Sequence, residues 1–329
     1  VLFVLTAARR NTVPATLTSA ISTRLVLRMA DGDEYASLGL PLALAATTLP
    51  PGRGFLDGTE IQIGVLGSDP TGAGQAEAIA ARAAQLREDN PPGTAPTVSV
   101  LAEQIELSTL DSVAGTAGAA VVALGRSGIS DATVRVDLDD IPVFGVFGPD
   151  RSGRTTTLAT LVAGLTASVP DLEMYLLAPR RSALTGRPGW TSAASGPDAC
   201  AALATELADL AQERVATPDR RWLIVIDDGD ELADSSAGTA LTTLMRRGRD
   251  AGAIVLCAVQ THVAHRTFGG WITDLRKAKH GLLLRPEVEV DGDLFGLRLP
   301  QKASRRFPVG RGYLVVRSDV DYVQVALAT

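Results

Sequence analysis

The chain has 329 residues, 46% of them hydrophobic, enough for about two domains with sizeable cores. Its formal net charge of -6 gives no footprint for strong, non-specific DNA binding, which usually needs a basic face, and leaves DNA open only through local positive charge such as a pore lining. Two cysteines, Cys200 and Cys257, form neither a disulfide framework nor a metal spacing, and Cys257 lies in an apolar run over 254–257, so a buried thiol in a reducing cytosol is expected. No run reaches the roughly 18 apolar residues of a membrane helix, and a soluble chain is expected.

In chain order, the opening run Val1-Leu2-Phe3-Val4-Leu5 reads as an apolar strand, with Arg9-Arg10 after it rather than before it, so it is not a signal peptide. The sequence then shows an internal repeat. Pro50-Pro51-Gly52-Arg53-Gly54, followed by Phe55-Leu56 and Ile61-Gln62-Ile63, matches Pro308-Val309-Gly310-Arg311-Gly312, followed by Tyr313-Leu314 and Val323-Gln324-Val325. Arg24-Leu25-Val26-Leu27-Arg28 matches Gly281-Leu282-Leu283-Leu284-Arg285, and the first six residues match 254–259. Residues 1–67 therefore read as the second half of a unit whose first half is not in this chain. An Ala-rich stretch over 75–88 predicts a helix, stopped by Asn90-Pro91-Pro92-Gly93 and Pro96. The expected organisation is 1–67, a connecting segment 68–107, and a second domain 108–329.

Within the second domain, short apolar runs over 143–147, 172–177, 222–226, 254–259 and 282–284 predict buried strands. Helices are expected over 155–169, 199–215 and 241–249, with Ser195 and Asp198 as caps of the second. This alternation predicts an α/β fold with a mostly parallel sheet, helices on both faces, and added strands and hairpins over 281–325.

Chemistry concentrates at three strand ends. Gly148-Pro149-Asp150-Arg151-Ser152-Gly153-Arg154-Thr155-Thr156 stands between a strand and a helix, the context of a phosphate loop. Its glycines let the backbone N–H groups turn toward phosphate oxygens, the helix N-terminus adds its dipole, and Thr155 would place a hydroxyl on Mg²⁺. Arg154 stands where the pattern calls for Lys; its planar fork is a poorer fit under the β- and γ-phosphates than a point charge. The strand over 222–226 ends in Asp227, a Mg²⁺ ligand candidate, and Asp228, a shorter stand-in for the Glu that polarises water. Gln260, with Thr261, follows the next strand and is a candidate for the γ-phosphate. Arg246, Arg247 and Arg249 end a helix, and Arg249 is a candidate arginine finger toward a neighbouring subunit, or a residue complementing a helix C-terminus. His262, His265 and His280 have no ligand partners in sequence and read as structural or surface residues, and Arg53 and Arg311 as turn or interface residues.

Together these residues resemble the FtsK/SpoIIIE family of P-loop ATPases, over almost the whole chain. The loop 148–155, the strand with Asp227-Asp228, and the stretch Arg246-Arg247-Gly248-Arg249-Asp250-Ala251-Gly252 followed by 253–256 carry the resemblance. The twice-used Pro-x-Gly-Arg-Gly turn is similar to the end of each motor in the EccC/EssC branch, which powers type VII secretion. The resemblance implies a RecA-like fold, ATP and Mg²⁺ as cofactors, and a terminal motor module with weak or regulatory hydrolysis. Its implied partners are preceding ATPase domains of the same polypeptide, further copies in a ring, and secreted WXG100-type proteins. It also implies a place for the full-length protein at the cytoplasmic face of the cell membrane. Two alternatives stand beside it: a DNA translocase, and a non-hydrolysing module that docks a peptide or a neighbouring domain.

Overall fold

The computed structural model describes residues 4–29, 31–41, 43, 49–89, 100–111, 118–215, 221–300 and 307–328. The chain divides into two compact units, Val1–Thr97 and Val98–Thr329. Among the described residues no helix is long and apolar enough to cross a membrane. The breaker run at 90–96 and the first three residues of the expected opening strand lie outside the described residues. Val4 and Leu5 join no strand and are exposed, so at these two positions the strand expectation fails. An isolated apolar run has no paired backbone to hold it extended.

The first unit contains α1 (Ala15–Ala20), β1 (Leu25–Val26), α2 (Asp33–Ser37), β2 (Arg53–Leu56), β3 (Thr59–Gln62) and α3 (Gly72–Asp89). The strands form an antiparallel sheet in the order β1-β2-β3. Asp57 and Gly58, both at positive φ, make the two-residue turn of the β2–β3 hairpin, the conformation that an Asp-Gly pair favours. The core is small: Val26, Tyr35, Leu40, Leu49 and Phe55. The expected helix over 75–88 is α3, which starts three residues earlier and buries none of its side chains.

The second unit contains β4 (Val121–Ser127), β5 (Thr133–Asp137), β6 (Val143–Gly148), α4 (Arg154–Ser168), β7 (Glu173–Ala178), β8 (Ser192–Ser195) and α5 (Pro197–Arg214). It continues with β9 (Trp222–Ile226), α6 (Gly238–Arg247), β10 (Ala253–Gln260), α7 (Thr261–Arg266), α8 (Gly270–Lys277), β11 (His280–Leu284), β12 (Arg311–Val316) and β13 (Asp319–Val325). Its ten-stranded sheet runs β5-β4-β13-β12-β11-β6-β10-β9-β7-β8. The six strands from β11 to β8 are parallel, and β12, β13, β4 and β5 add antiparallel pairs at one side.

Every residue of β9 is buried, because alternate side chains enter opposite cores. Trp222, Ile224 and Ile226 pack with α5, α6 and α8, whereas Leu223 and Val225 pack on the face that holds α4. Each fully buried Leu, Ile or Val contributes about 1.5–3 kcal/mol. The mostly parallel sheet with helices on both faces and added C-terminal strands is therefore the architecture expected from sequence.

Local details differ from expectation. Neither Ser195 nor Asp198 caps α5; its N-cap is Gly196 at φ 89, with Pro197 as the first helical residue. Glycine reaches the left-handed backbone without a Cβ penalty, and proline is pre-set for the first turn. The helix expected over 241–249 ends at Arg247 and tightens into a 3-10 turn, Gly248–Ala251. The C-terminal segment also holds a short 3-10 turn, Asp291–Leu294. Strands β4, β5 and β8 were not anticipated; the run Ser-Ala-Ala-Ser of β8 has no apolar signature and pairs only as an edge strand.

Candidate phosphate-loop site

The parallel strands all end at the same edge of the sheet, and the loops that follow them converge there, where ligands bind in folds of this type. β6 leads into the loop 148–153, and α4 begins at Arg154. Arg151 and Gly153 take left-handed conformations, φ 57 and φ 104. The N–H groups of Gly153, Arg154, Thr155 and Thr156 have no acceptor among the described residues, since the first turn of a helix supplies none. Pro149, Asp150, Arg151 and Thr156 are exposed, whereas Gly148, Ser152 and Arg154 are buried.

The side chains the sequence singled out separate into those brought together and one that is not. Thr155 Oγ1 donates to the Asp227 carboxylate, 3.0 Å from each oxygen. Arg154 folds back: one guanidinium nitrogen donates to the Gly148 carbonyl at 2.6 Å and another to Asp228 at 2.9 Å. Asp228 stands at φ 50, a left-handed position that Asp tolerates better than most residues. Gln260 ends β10, in register with Gly148, and its backbone N–H donates to Asp230 at 3.0 Å. Arg249 lies before the N-terminal end of β10, at the opposite edge of the sheet from the loop.

Two contributors escaped the sequence. Ser182, in the loop after β7, donates to Asp227 Oδ2 at 2.6 Å and is buried. No local pattern marks it; only the pairing of β7 with β9 places it there. The second is the turn 308–311, whose Gly310 N–H donates to the Ser152 carbonyl at 2.8 Å. A Cβ on Gly153 would meet Gly310 N at 3.1 Å and Val309 Cγ1 at 3.2 Å, so this glycine serves both its positive φ and a close approach.

Asp227 is 1% exposed. Burial raises its pKa, the charge of Asp228 adds to the rise, and Ser182, Thr155 and Arg154 oppose it. Ser152 Oγ and Arg154 Nε are buried with no hydrogen-bond partner. Among the described residues there is no group of three or more His, Cys, Asp or Glu able to hold a metal. A Thr hydroxyl beside one carboxylate is nevertheless a donor set suited to Mg²⁺ that keeps waters and substrate phosphates as its other ligands. Four amides with no acceptor among the described residues, at the start of the helix that carries Thr155, fit a phosphate chain with its Mg²⁺. The guanidinium of Arg154, held by Asp228, is the element that fits less simply.

A parallel sheet with helices on both faces, a strand–loop–helix cradle and a carboxylate at the tip of β9 defines the RecA-like P-loop class of fold. Known structures agree. The chain is similar to ATPases 2 and 3 of Thermomonospora curvata EccC, solved in complex with a signal sequence peptide. The identity is 23% and the TM-score 0.63, over 96% of this chain and 60% of that one. It is similar to ATPases 2 and 3 of EssC from Geobacillus thermodenitrificans, with 17% identity and a TM-score of 0.67, over 98% of this chain and 64% of that one. It is also similar to the pCW3 conjugation coupling protein TcpA, in a monomer form with ATPγS, with 15% identity and a TM-score of 0.54, over 77% and 82%. These structure neighbours include the EccC/EssC branch that the sequence resembles; the chain spans less than two thirds of the length of the EccC and EssC structures. No family model and no curated protein matches the sequence.

Proposed function

We propose that the second unit binds ATP with Mg²⁺ at the loop 148–156. It would act as a motor module, with slow turnover of its own, in an EccC-like ATPase of type VII secretion. Residues 1–67 would be the end of a preceding module, 68–107 the connection, and 108–329 the module that follows. One observation carries nucleotide binding: the Thr155–Asp227 oxygen pair stands at the start of α4, where four amides have no acceptor among the described residues. The likeness to paired ATPase domains over 96% and 98% of the chain supports the two-module arrangement.

In this reading the N–H groups of 153–156 would hold phosphate oxygens and Thr155 and Asp227 would hold Mg²⁺; when bound, the ion would supply neutralisation of phosphate charge. Ser182 fixes the Asp227 carboxylate, and Gln260, at the end of β10 in register with Gly148, would contact the terminal phosphate. Asp228 would accept the proton of an attacking water, but it is engaged by Arg154 at 2.9 Å. That ion pair must open before Asp228 can act as a base, which accounts for slow turnover. Arg249 stands too far along the sheet to serve its own loop and would reach a neighbouring copy in a ring. Export of small WXG100-type proteins and attachment of the full-length protein to the cytoplasmic face of the membrane belong to the same proposal.

Calorimetric titration of the full chain with Mg-ATP tests it. Saturable binding is expected, reduced at least about tenfold by Thr155→Ala, the loss of a metal-ligand oxygen. Wild-type protein that takes up no heat with Mg-ATP would end the nucleotide proposal. Arg154→Lys frees Asp228 and is expected to raise the steady-state ATPase rate by about tenfold or more, within the range general-base catalysis supplies.

A further inference from the structure

Strand β10 runs on past one of its neighbours. Its last pair with β9 is Cys257 with Ile226, whereas its pairing with β6 continues to Gln260, opposite Gly148. Over 258–260 it therefore has β6 on one side and, among the described residues, no strand on the other. The chain leaving β9 turns at Asp228, φ 50, into the 3-10 turn Gly229–Leu232. A backbone N–H shielded from water and left without an acceptor costs free energy. Asp230, within that turn, takes the place of the missing strand: its carboxylate accepts from the Gln260 N–H at 3.0 Å.

The turn that carries Asp230 is itself held on several sides. Gly229 is buried against β10 and α8, where a Cβ would meet Cys257 Sγ at 3.0 Å and Trp271 Cη2 at 2.8 Å. Trp271 Nε1 donates to the Leu232 carbonyl at 3.4 Å. Glu231 pairs with Arg180, from the loop that also carries Ser182. The Asp230 carboxylate is thus a fixed point against which the end of β10 is set. Because the peptide group is planar, holding the Gln260 N–H holds the plane through which its Cα is reached, and so restricts where its side chain can start. Gln260 is also the N-cap of α7, so the same bond sets where that helix begins.

We infer that Asp230 is a positioning residue: it holds Gln260 where the glutamine amide meets the terminal phosphate, and through Gln260 it makes the site prefer a triphosphate to a diphosphate. The inference rests on the phosphate-loop proposal above and adds a residue that touches neither phosphate nor metal. The acidic turn then divides its work. Asp227 and Asp228 bond to Thr155 and Arg154 at the start of α4, whereas Asp230 serves the strand on the other side of the loop.

The test compares the affinities of the full chain for Mg-ATP and Mg-ADP by calorimetry. Wild-type protein is expected to prefer Mg-ATP. Asp230→Ala is expected to cut that preference about tenfold, the weight of one hydrogen bond to a charged group, while Mg-ADP affinity stays unchanged. Gln260→Ala should give the same cut, and the double variant no more than either alone, because both act through one contact. Asp230→Asn, whose side-chain oxygen still accepts from the Gln260 N–H, should keep the preference. Should Asp230→Ala fail to fold, Asp230→Glu, which displaces the carboxylate by one methylene, takes its place with the same expectation. An unchanged preference in that variant, an equal loss for both nucleotides, or additive effects in the double variant would overturn the positioning role while the phosphate loop stands. Wild-type protein that binds both nucleotides equally would do the same. Wild-type protein that binds neither would remove the inference and the proposal beneath it.

Discussion

The two hairpins that carry the Pro-x-Gly-Arg-Gly turn have the same internal hydrogen bonds and very different surroundings. Gly52 and Gly310 stand at φ 76 and φ 77. Arg53 Nε donates to Gln62 at 3.0 Å and Arg311 Nε to Gln324 at 2.9 Å. The same two glutamine amides donate back to Pro51 and Val309, closing each turn. Yet Arg53 is half-buried and its side chain reaches Glu60, whereas Arg311 is buried and donates to the carbonyls of Leu101 and Ala102. The first hairpin belongs to a three-stranded sheet; the second lies inside a ten-stranded one, its turn bonded to the phosphate loop. The turn is thus made locally, by two side chains and a glycine, and its energetic weight comes from whatever packs on it.

Truncating the arginines separates these contributions most sharply. Arg311→Ala leaves two carbonyls and a buried glutamine without their donor and is expected to destabilise the second unit by about 3 kcal/mol. Trp190, Trp222 and Trp271 all lie in that unit, so urea unfolding followed by tryptophan fluorescence reads it alone. Arg53→Ala, at an exposed ion pair, is expected to cost under about 1 kcal/mol by circular dichroism. Equal losses would mean that burial adds nothing to the motif.

The glycines give a smaller and more selective effect. A Cβ on Gly310 would meet Gln324 Nε2 at 2.9 Å and one on Gly52 would meet Gln62 Nε2 at 2.8 Å. Both alanine variants should lose about 1–2 kcal/mol from the left-handed backbone. Only Gly310→Ala should also weaken Mg-ATP, because only Gly310 bonds to the phosphate loop; a matching loss in Gly52→Ala would break the distinction.

The tips of the hairpins give the smallest effect. Arg24 N–H donates to the Asp57 carboxylate, while Arg317 N–H donates to His280 Nδ1. Burial, then the charge of Arg317, hold the His280 pKa below the ordinary 6.5, with Asp140 opposing. The folded state therefore binds fewer protons than the unfolded one below that value. Its contribution is complete above pH 6.5 and is lost as the pH falls toward the depressed pKa. Melting temperatures from pH 7.5 down to 5 should fall slightly more for wild type than for His280→Gln; parallel curves would remove the histidine from the account.

How much was legible follows from the range of each interaction. The strands β6, β9, β10 and β11 could be read because a strand buried on both faces must be apolar throughout, and the loop 148–156 because its chemistry depends on neighbours in sequence. The edge strand β8 could not, since pairing on one side alone imposes no composition. Asp227 and Thr155 were each visible, but their contact was not. The same holds for Arg154, whose substitution for Lys was plain while its grip on Asp228 was not.

By itself the sequence determined the buried central strands, the mostly parallel α/β class, the strand–loop–helix at 148–156 and the acidic strand end, since local periodicity and residue pattern encode them. Only the tertiary structure decided what surrounds them: Ser182 on Asp227, Arg154 on Asp228 and the turn at Gly310 on the loop. Those meetings depend on strand order, which brings together segments far apart in the chain, and no local residue pattern records that order.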